Sequence, residues 1–313
     1  MNPPGRGAFF PELVVMLGTL ATSTAAILIR FAQAGASSLV IAAWRMCLAT
    51  LILAPLAILR YRRELKDLKG SQAGLLACSG LFLAAHFATW ISSLEYTSVA
   101  SAVVLVATNP LWVALFSWIF LKEKINRRVT VGMLVALLGG VLISLNDAMG
   151  GDHASLSAGS NPMWGDLLAL LGGIFGAGYI IIGRKLRAFT SLPVYTFSVY
   201  GIAGVILLLV VFLARLPLTG YQPGTYLWFL LLAVVPQVLG HSSINWGLKY
   251  LPAAFVAVVM LSEPIGSSIM AIFLLNEVPT ILMIMGGILI LFGIGLASWV
   301  RGGRAAGEIT AAD

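Results

Sequence analysis

Ten apolar runs of about twenty residues follow one another along the chain, divided by linkers that are mostly shorter than ten residues. They cover 12–32, 38–59, 72–94, 98–121, 128–146, 163–184, 191–213, 224–247, 252–275 and 279–300, numbered here as spans 1 to 10. Loop 1 joins spans 1 and 2, and so on to loop 9. A helix of about 20 residues rises about 30 Å, the thickness of a bilayer's hydrocarbon core. Only 10% of the residues are charged, against about 25% in an ordinary globular domain. So few charges cannot cover a water-facing surface, and the outer faces of these helices must meet lipid. The chain reads as an all-α integral membrane protein with ten transmembrane helices. Span 1 follows Arg6 and precedes "AQAGAS", a loose likeness to a secretory signal and its cleavage site. Its length, and a partner in the second half of the chain, favour a retained span.

A net charge of +7 would suit a nucleic-acid partner, but the basic residues sit in short loops between apolar runs, so none is expected. Sixteen Lys and Arg lie in the N-terminus, the even loops and the C-terminus; the odd loops hold only Arg30 and Arg215, and Arg45 lies within span 2. By the positive-inside rule, both termini are expected in the cytoplasm. Cys47 and Cys78 lie inside spans and suggest neither a disulfide nor a metal site.

Shifted by 154 residues, the chain matches itself without a gap. Tyr96 meets Tyr250, Pro110 meets Pro264, Glu123 meets Glu277, Gly132 meets Gly286, and Gly139 meets Gly293. From 94 to 142, 11 of 49 positions are identical. Five spans per copy is an odd number, so the second copy enters the membrane upside down. The charges follow: "KEKINRR" in loop 4 has four basic residues and its counterpart "NEVPT" none. The expected domains are 1–150 and 160–300, two five-helix inverted-topology repeats, with 301–313 as a cytoplasmic tail. Inverted repeats are the usual architecture of secondary transporters, with the substrate near the midplane.

"ALEYTSVASAVVLVATNPLWVALFSWIFLKEKINRRVTVGMLVALLGGVLIS" and "LSEPIGSSIMAIFLLNEVPTILMIMGGILILFGI" resemble the two EamA-type repeats of the drug/metabolite transporter superfamily. Each has a mid-helix proline, an acid about thirteen residues on, and then a glycine-rich helix. Length and a polar-aromatic interior make the chain most similar to YddG-type bacterial exporters of aromatic amino acids. The resemblance implies a ten-helix bundle working by alternating access in a bacterial inner membrane, with no ATP and no cofactor. A monomer is compatible with it.

Glu263 falls near the middle of span 9, where a lipid-facing charge costs roughly 2.5–3.5 kcal/mol or more, so it should face the bundle interior. Its repeat partner is Asn109, also before a proline. Pro110 and Pro264 each remove an amide donor and are expected to act as hinges, freeing carbonyls near Val106 and Met260. A structural or gating, a path-lining and a proton-coupling role for Glu263 all stand open. In span 3, Ser79, Phe82, His86, Trp90 and Ser93 share one helical face; in span 8, Gln237, His241 and Asn245 do. Thr19, Ser23 and Thr24 in span 1, Tyr179 in span 6 and Ser267 in span 9 extend the polar set. Arg45 is placed near the outer side, to snorkel or to bind a carboxylate. Glu123 and Glu277 read as gate or packing residues, with helix-end solvation as the alternative. Each candidate has a structural reading beside it, as an interhelical hydrogen bond or an interfacial anchor.

No HExxH, GxSxG or Walker A pattern is present, which disfavours an enzyme. The expected activity is export of a small amphipathic metabolite, above all an aromatic or hydrophobic amino acid. A multidrug, organic-cation or nucleotide-sugar-like substrate is the alternative within the superfamily, and a receptor or intramembrane enzyme the remote one.

Overall fold

The computed structural model describes residues 10–121, 127–148, 161–187, 189–247, 249–251, 259–260 and 262–309. All regular structure among them is helical. Six helices are long and apolar enough to cross a bilayer: Phe10–Gln33, Ser38–Arg60, Gly70–Ser93, Pro162–Arg187, Leu192–Leu213 and Pro223–Gly247. These are spans 1 to 3 and 6 to 8. Spans 4 and 9 hold shorter apolar helices, span 5 is the helix Arg127–Ala148, and span 10 begins the helix Ile281–Ile309.

The packing repeats as well. Span 3 lies along span 6, and span 1 along span 8. Span 4 packs on span 6, and span 9 on span 1; spans 2 and 7 pair with each other, as do 5 and 10. Exchanging the two halves turns this set of neighbours into itself, as a pseudo-twofold axis requires. Spans 5 and 10 show it at atomic scale. A Cβ on Gly139 would stand 2.5 Å from the Gly286 carbonyl oxygen, and one on Gly286 2.7 Å from that of Gly139. Gly293 abuts the Gly132 carbonyl in the same way. The repeat shift converts the first glycine pair into the second. Small residues let the two backbones approach, the usual basis of helix association in lipid.

Apolar side chains on the outside complete the membrane assignment. Val205 is 67% exposed and Phe292 62% exposed, each in the middle of its helix. Meanwhile Phe87, Tyr195, Tyr200 and Phe229 are fully buried in the core between spans.

Four spans are irregular, span 2 only at its end, where a π-helical turn, Leu56–Arg60, follows Pro55. Span 1 is two helices, Phe10–Ser23 and Ala25–Gln33, broken at Thr24, whose hydroxyl donates to the Ala21 carbonyl at 2.7 Å. Span 4 is two helices, Val99–Val106 and Asn109–Leu121. Pro110 therefore stands at the start of a helix, where its missing N–H costs nothing, rather than in the middle of one. Thr108 at the break donates from its hydroxyl to the Leu105 carbonyl at 2.7 Å. Span 8 passes through a π-helical stretch, Ala233–His241, which contains Pro236. Such stretches carry one extra residue per turn and are frequent at functional sites.

The described part of span 9 is the helix Ser262–Leu275, with Pro264 in its first turn, preceded by Val259 and Met260. The repeat partner of the span 4 break includes Leu261, which lies outside the described residues, as does Glu123.

Candidate substrate site

Arg45 sets the centre. It does not snorkel: the side chain is completely buried among spans 2, 3, 7 and 8. Ser38 begins its helix, so Arg45 sits two turns deep, beyond reach of the helix end through the packed side chains around it. Its guanidinium lies over the Phe87 ring, 4.2 Å from the centroid, and 6.0 Å from that of Trp90. Nε donates to Gln237 Oε1 at 2.9 Å. Nη1 and Nη2 have no hydrogen-bond partner among the described residues. An unpaired donor pair on a buried cation is expensive, because both desolvation and the lost hydrogen bonds count against it.

More donors gather nearby. Trp90 Nε1, Gln237 Nε2, the Tyr200 hydroxyl and the Ser242 hydroxyl are buried and likewise lack partners among the described residues. Tyr200 lies near Gln237, Ser242 and Arg45. His86 stacks on Trp90 with centroids 5.9 Å apart, and Phe87 meets His241 edge-on at 5.8 Å. His86 Nδ1 is 2.8 Å from the Gly172 carbonyl. A carbonyl only accepts, so Nδ1 carries a hydrogen and donates it.

Glu263 enters from the other side. Its Oε2 accepts from the Thr22 hydroxyl at 3.0 Å, and that hydroxyl is also 2.9 Å from the Thr19 carbonyl. One hydrogen serves two acceptors, so Thr22 does not saturate the carboxylate. Thr22, and neither Thr19 nor Thr24, is the span 1 residue that reaches Glu263. Thr22 packs on Gly240, one turn beyond the Gln237 that binds Arg45, so the π-helical stretch carries both ends of the site. Glu263 and Arg45 interact through space, with no direct ion pair between them. Ser267, one turn along span 9, donates to the Ser23 carbonyl at 2.8 Å.

Other expected residues fall as follows. Asn109 abuts Gly176 beside His86, so spans 3, 4 and 6 meet there. Tyr179 and Asn245 are buried and bonded to each other at 2.8 Å; Tyr179 also stacks on Tyr195, which Ser79 contacts at 3.3 Å. His86, His241, Asn109 and Glu263 are only half-buried, although each makes contacts inside the bundle. Gln237 binds Arg45, His241 meets Phe87 and Asn245 binds Tyr179.

Glu277 belongs to a different cluster at the odd-loop end. It is buried, pairs with Arg30 at 3.1 Å, and accepts from the Val99 backbone N–H at 2.8 Å. Arg30 also donates to the Thr97 carbonyl, and the Thr97 hydroxyl donates to Asp166. Spans 1, 4, 6 and 9 are joined there through buried polar groups, which excludes simple helix-end solvation for Glu277.

Spacing alone did not point to Phe87, Thr22, Tyr200 or Ser242. Phe87 and Ser242 neighbour His86 and His241, and Thr22 lies one turn from Thr19; Tyr200, amid span 7, had only its hydroxyl as a signal.

Fold and site together define a multi-pass helical membrane protein of two inverted halves around a polar, aromatic centre. Comparison with known proteins sharpens this. The EamA-like transporter family matches residues 9–145 and again 163–299, one match per half, and the chain belongs to that family. An uncharacterized transporter of Archaeoglobus fulgidus is 28% identical over 264 residues, which are 82% of this chain and 86% of the relative. The uncharacterized transporter YyaM of Bacillus subtilis is 23% identical over 263 residues, 83% of this chain and 84% of that one. Mouse solute carrier family 35 member G1 is 24% identical over 309 residues, 96% of this chain and 81% of that one. A protein crystal structure superposes with a TM-score of 0.64 at 18% identity, covering 93% of this chain and 97% of that one, a likeness of fold alone. The protein is a membrane transporter, not an enzyme.

Proposed function

We propose that this transporter exports aromatic or other hydrophobic amino acids by alternating access, from a bacterial cytoplasm that also holds both termini. The observation that carries the reading is the Arg45 guanidinium, buried beside Phe87 and Trp90 with two donors unused. A carboxylate accepts two parallel bonds from such a fork, and a ring finds stacking partners at the same place. His86, Asn109, His241 and Glu263 offer further polar contacts to a small amphipathic solute. Arg45 weighs against an organic cation. A phosphate-bearing substrate calls for several basic groups at mid-depth, and Arg45 is the only Lys or Arg well inside a span.

Pro110 and Pro264 stand where the proposed hinges of spans 4 and 9 would bend, and the Arg30–Glu277 cluster would close the odd-loop side. The test is counterflow in proteoliposomes against a panel of amino acids, sugars and cationic dyes. Exchange of phenylalanine, tyrosine, tryptophan or leucine supports the reading. Exchange of dyes or sugars with no amino acid overturns it.

A further inference from the structure

Two ionisable side chains of opposite sign face the same interior without neutralising each other, and this bears on what the site accepts. We infer that Arg45 and Glu263 are the two poles of a zwitterion site, Arg45 taking the substrate's carboxylate and Glu263 its ammonium group. The inference rests on the amino-acid reading above and deepens it. Around Arg45 the spare groups are donors: its own Nη1 and Nη2, Trp90 Nε1 and Gln237 Nε2. Around Glu263 the spare group is an acceptor: the carboxylate, which shares one hydroxyl hydrogen with the Thr19 carbonyl. Gln237 and Gly240, one turn apart on span 8, tie the poles to one scaffold through Arg45 and Thr22.

Charge balance then selects the ligand. In a low-dielectric interior, each uncompensated charge is strongly disfavoured. An acid without an amine would pair Arg45 and leave Glu263 alone. An amine without an acid would do the reverse. Only a solute that carries both charges, a few bonds apart, satisfies both poles while its ring reaches Phe87 and Trp90. The preference is for dipolar solutes over either half of them, and it sits in two named residues.

The experiment measures inhibition of labelled L-phenylalanine counterflow by three solutes: L-phenylalanine, 3-phenylpropanoate and 2-phenylethylamine. The wild-type protein is expected to favour L-phenylalanine at least tenfold over each analogue. Arg45→Gln should bring 2-phenylethylamine to within about twofold of L-phenylalanine, and Glu263→Gln should do so for 3-phenylpropanoate. Either analogue competing within threefold in the wild type would overturn the inference and leave amino-acid transport standing. So would two well-folded variants, monodisperse in detergent, that keep the wild-type ratios. If a variant does not fold, the wild-type ratios decide the matter. If leucine exchanges and phenylalanine does not, the aromatic preference fails, and the same rule is then read from leucine against 4-methylpentanoate and 3-methylbutylamine. Absence of all amino-acid exchange would overturn both.

Discussion

Arg45 and Arg30 are both buried, yet they differ in what surrounds them. Arg30 is compensated by Glu277 and the Thr97 carbonyl, whereas Arg45 keeps two bare donors. Opposite results should follow from removing the charge at each place. Arg45→Met removes the desolvation cost of a buried cation with two bare donors, against the loss of its one bond to Gln237. We expect the melting temperature in detergent to stay or rise while counterflow falls at least tenfold; a large fall in melting temperature would make Arg45 a structural residue. Glu277→Gln removes the carboxylate that pairs with Arg30 and weakens the cap on Val99. Breaking a buried pair on one side costs about 3 kcal/mol, which should appear as a clear loss of thermal stability. Unchanged melting would show that the Arg30–Glu277 bond contributes little.

At the scale of helices, the crossing of spans 5 and 10 is the tightest joint that the repeat makes. Gly139→Val would drive a side chain into the Gly286 carbonyl and Ile290, which are backbone and packed neighbours that cannot yield cheaply. Among the described residues Gly140→Ala meets only Leu105, at 3.6 Å, and serves as the control. The first variant should lose folded, monodisperse protein and the second should not; equal yields would remove the close crossing. Much of this level is legible in the sequence, because Gly132, Gly139, Gly286 and Gly293 recur at one offset and period shows which runs are helices. The breaks are less so. Pro110 marks the interruption of span 4, but the helix ends three residues before Asn109 and spares the proline, instead of bending around it. Span 1 breaks at Thr24 with no proline or glycine beside it, where a hydroxyl competes for a backbone carbonyl. In span 8, Pro236 is a visible irritant, yet nothing in a 3.6-residue period says that the helix answers it with a π-helical stretch. The depth of Arg45 was hidden for a related reason: distance from a helix end can be read along a sequence, whereas enclosure by Phe87, Trp90, Tyr200 and Gln237 comes from three other helices.

Over the whole molecule, two inverted halves meet along a pseudo-twofold axis, but in two of the repeat pairs of spans, 1 with 6 and 3 with 8, the irregularities do not match. Span 1 is broken while span 6 runs unbroken as Pro162–Arg187; span 8 is π-helical while span 3 is a regular Gly70–Ser93 helix. The exceptions on the span 1 and span 8 side touch Glu263 and Arg45, so the proposed site breaks the symmetry that the scaffold keeps. A symmetric frame with an asymmetric centre suits a carrier whose halves exchange roles around one bound solute. The most direct test is labelled L-phenylalanine counterflow in proteoliposomes by wild type, Arg45→Gln and the lipid-facing control Val205→Ala. The account predicts label accumulation by the wild type and the control, and at least a tenfold loss for Arg45→Gln. Equal flux through all three proteins would contradict it.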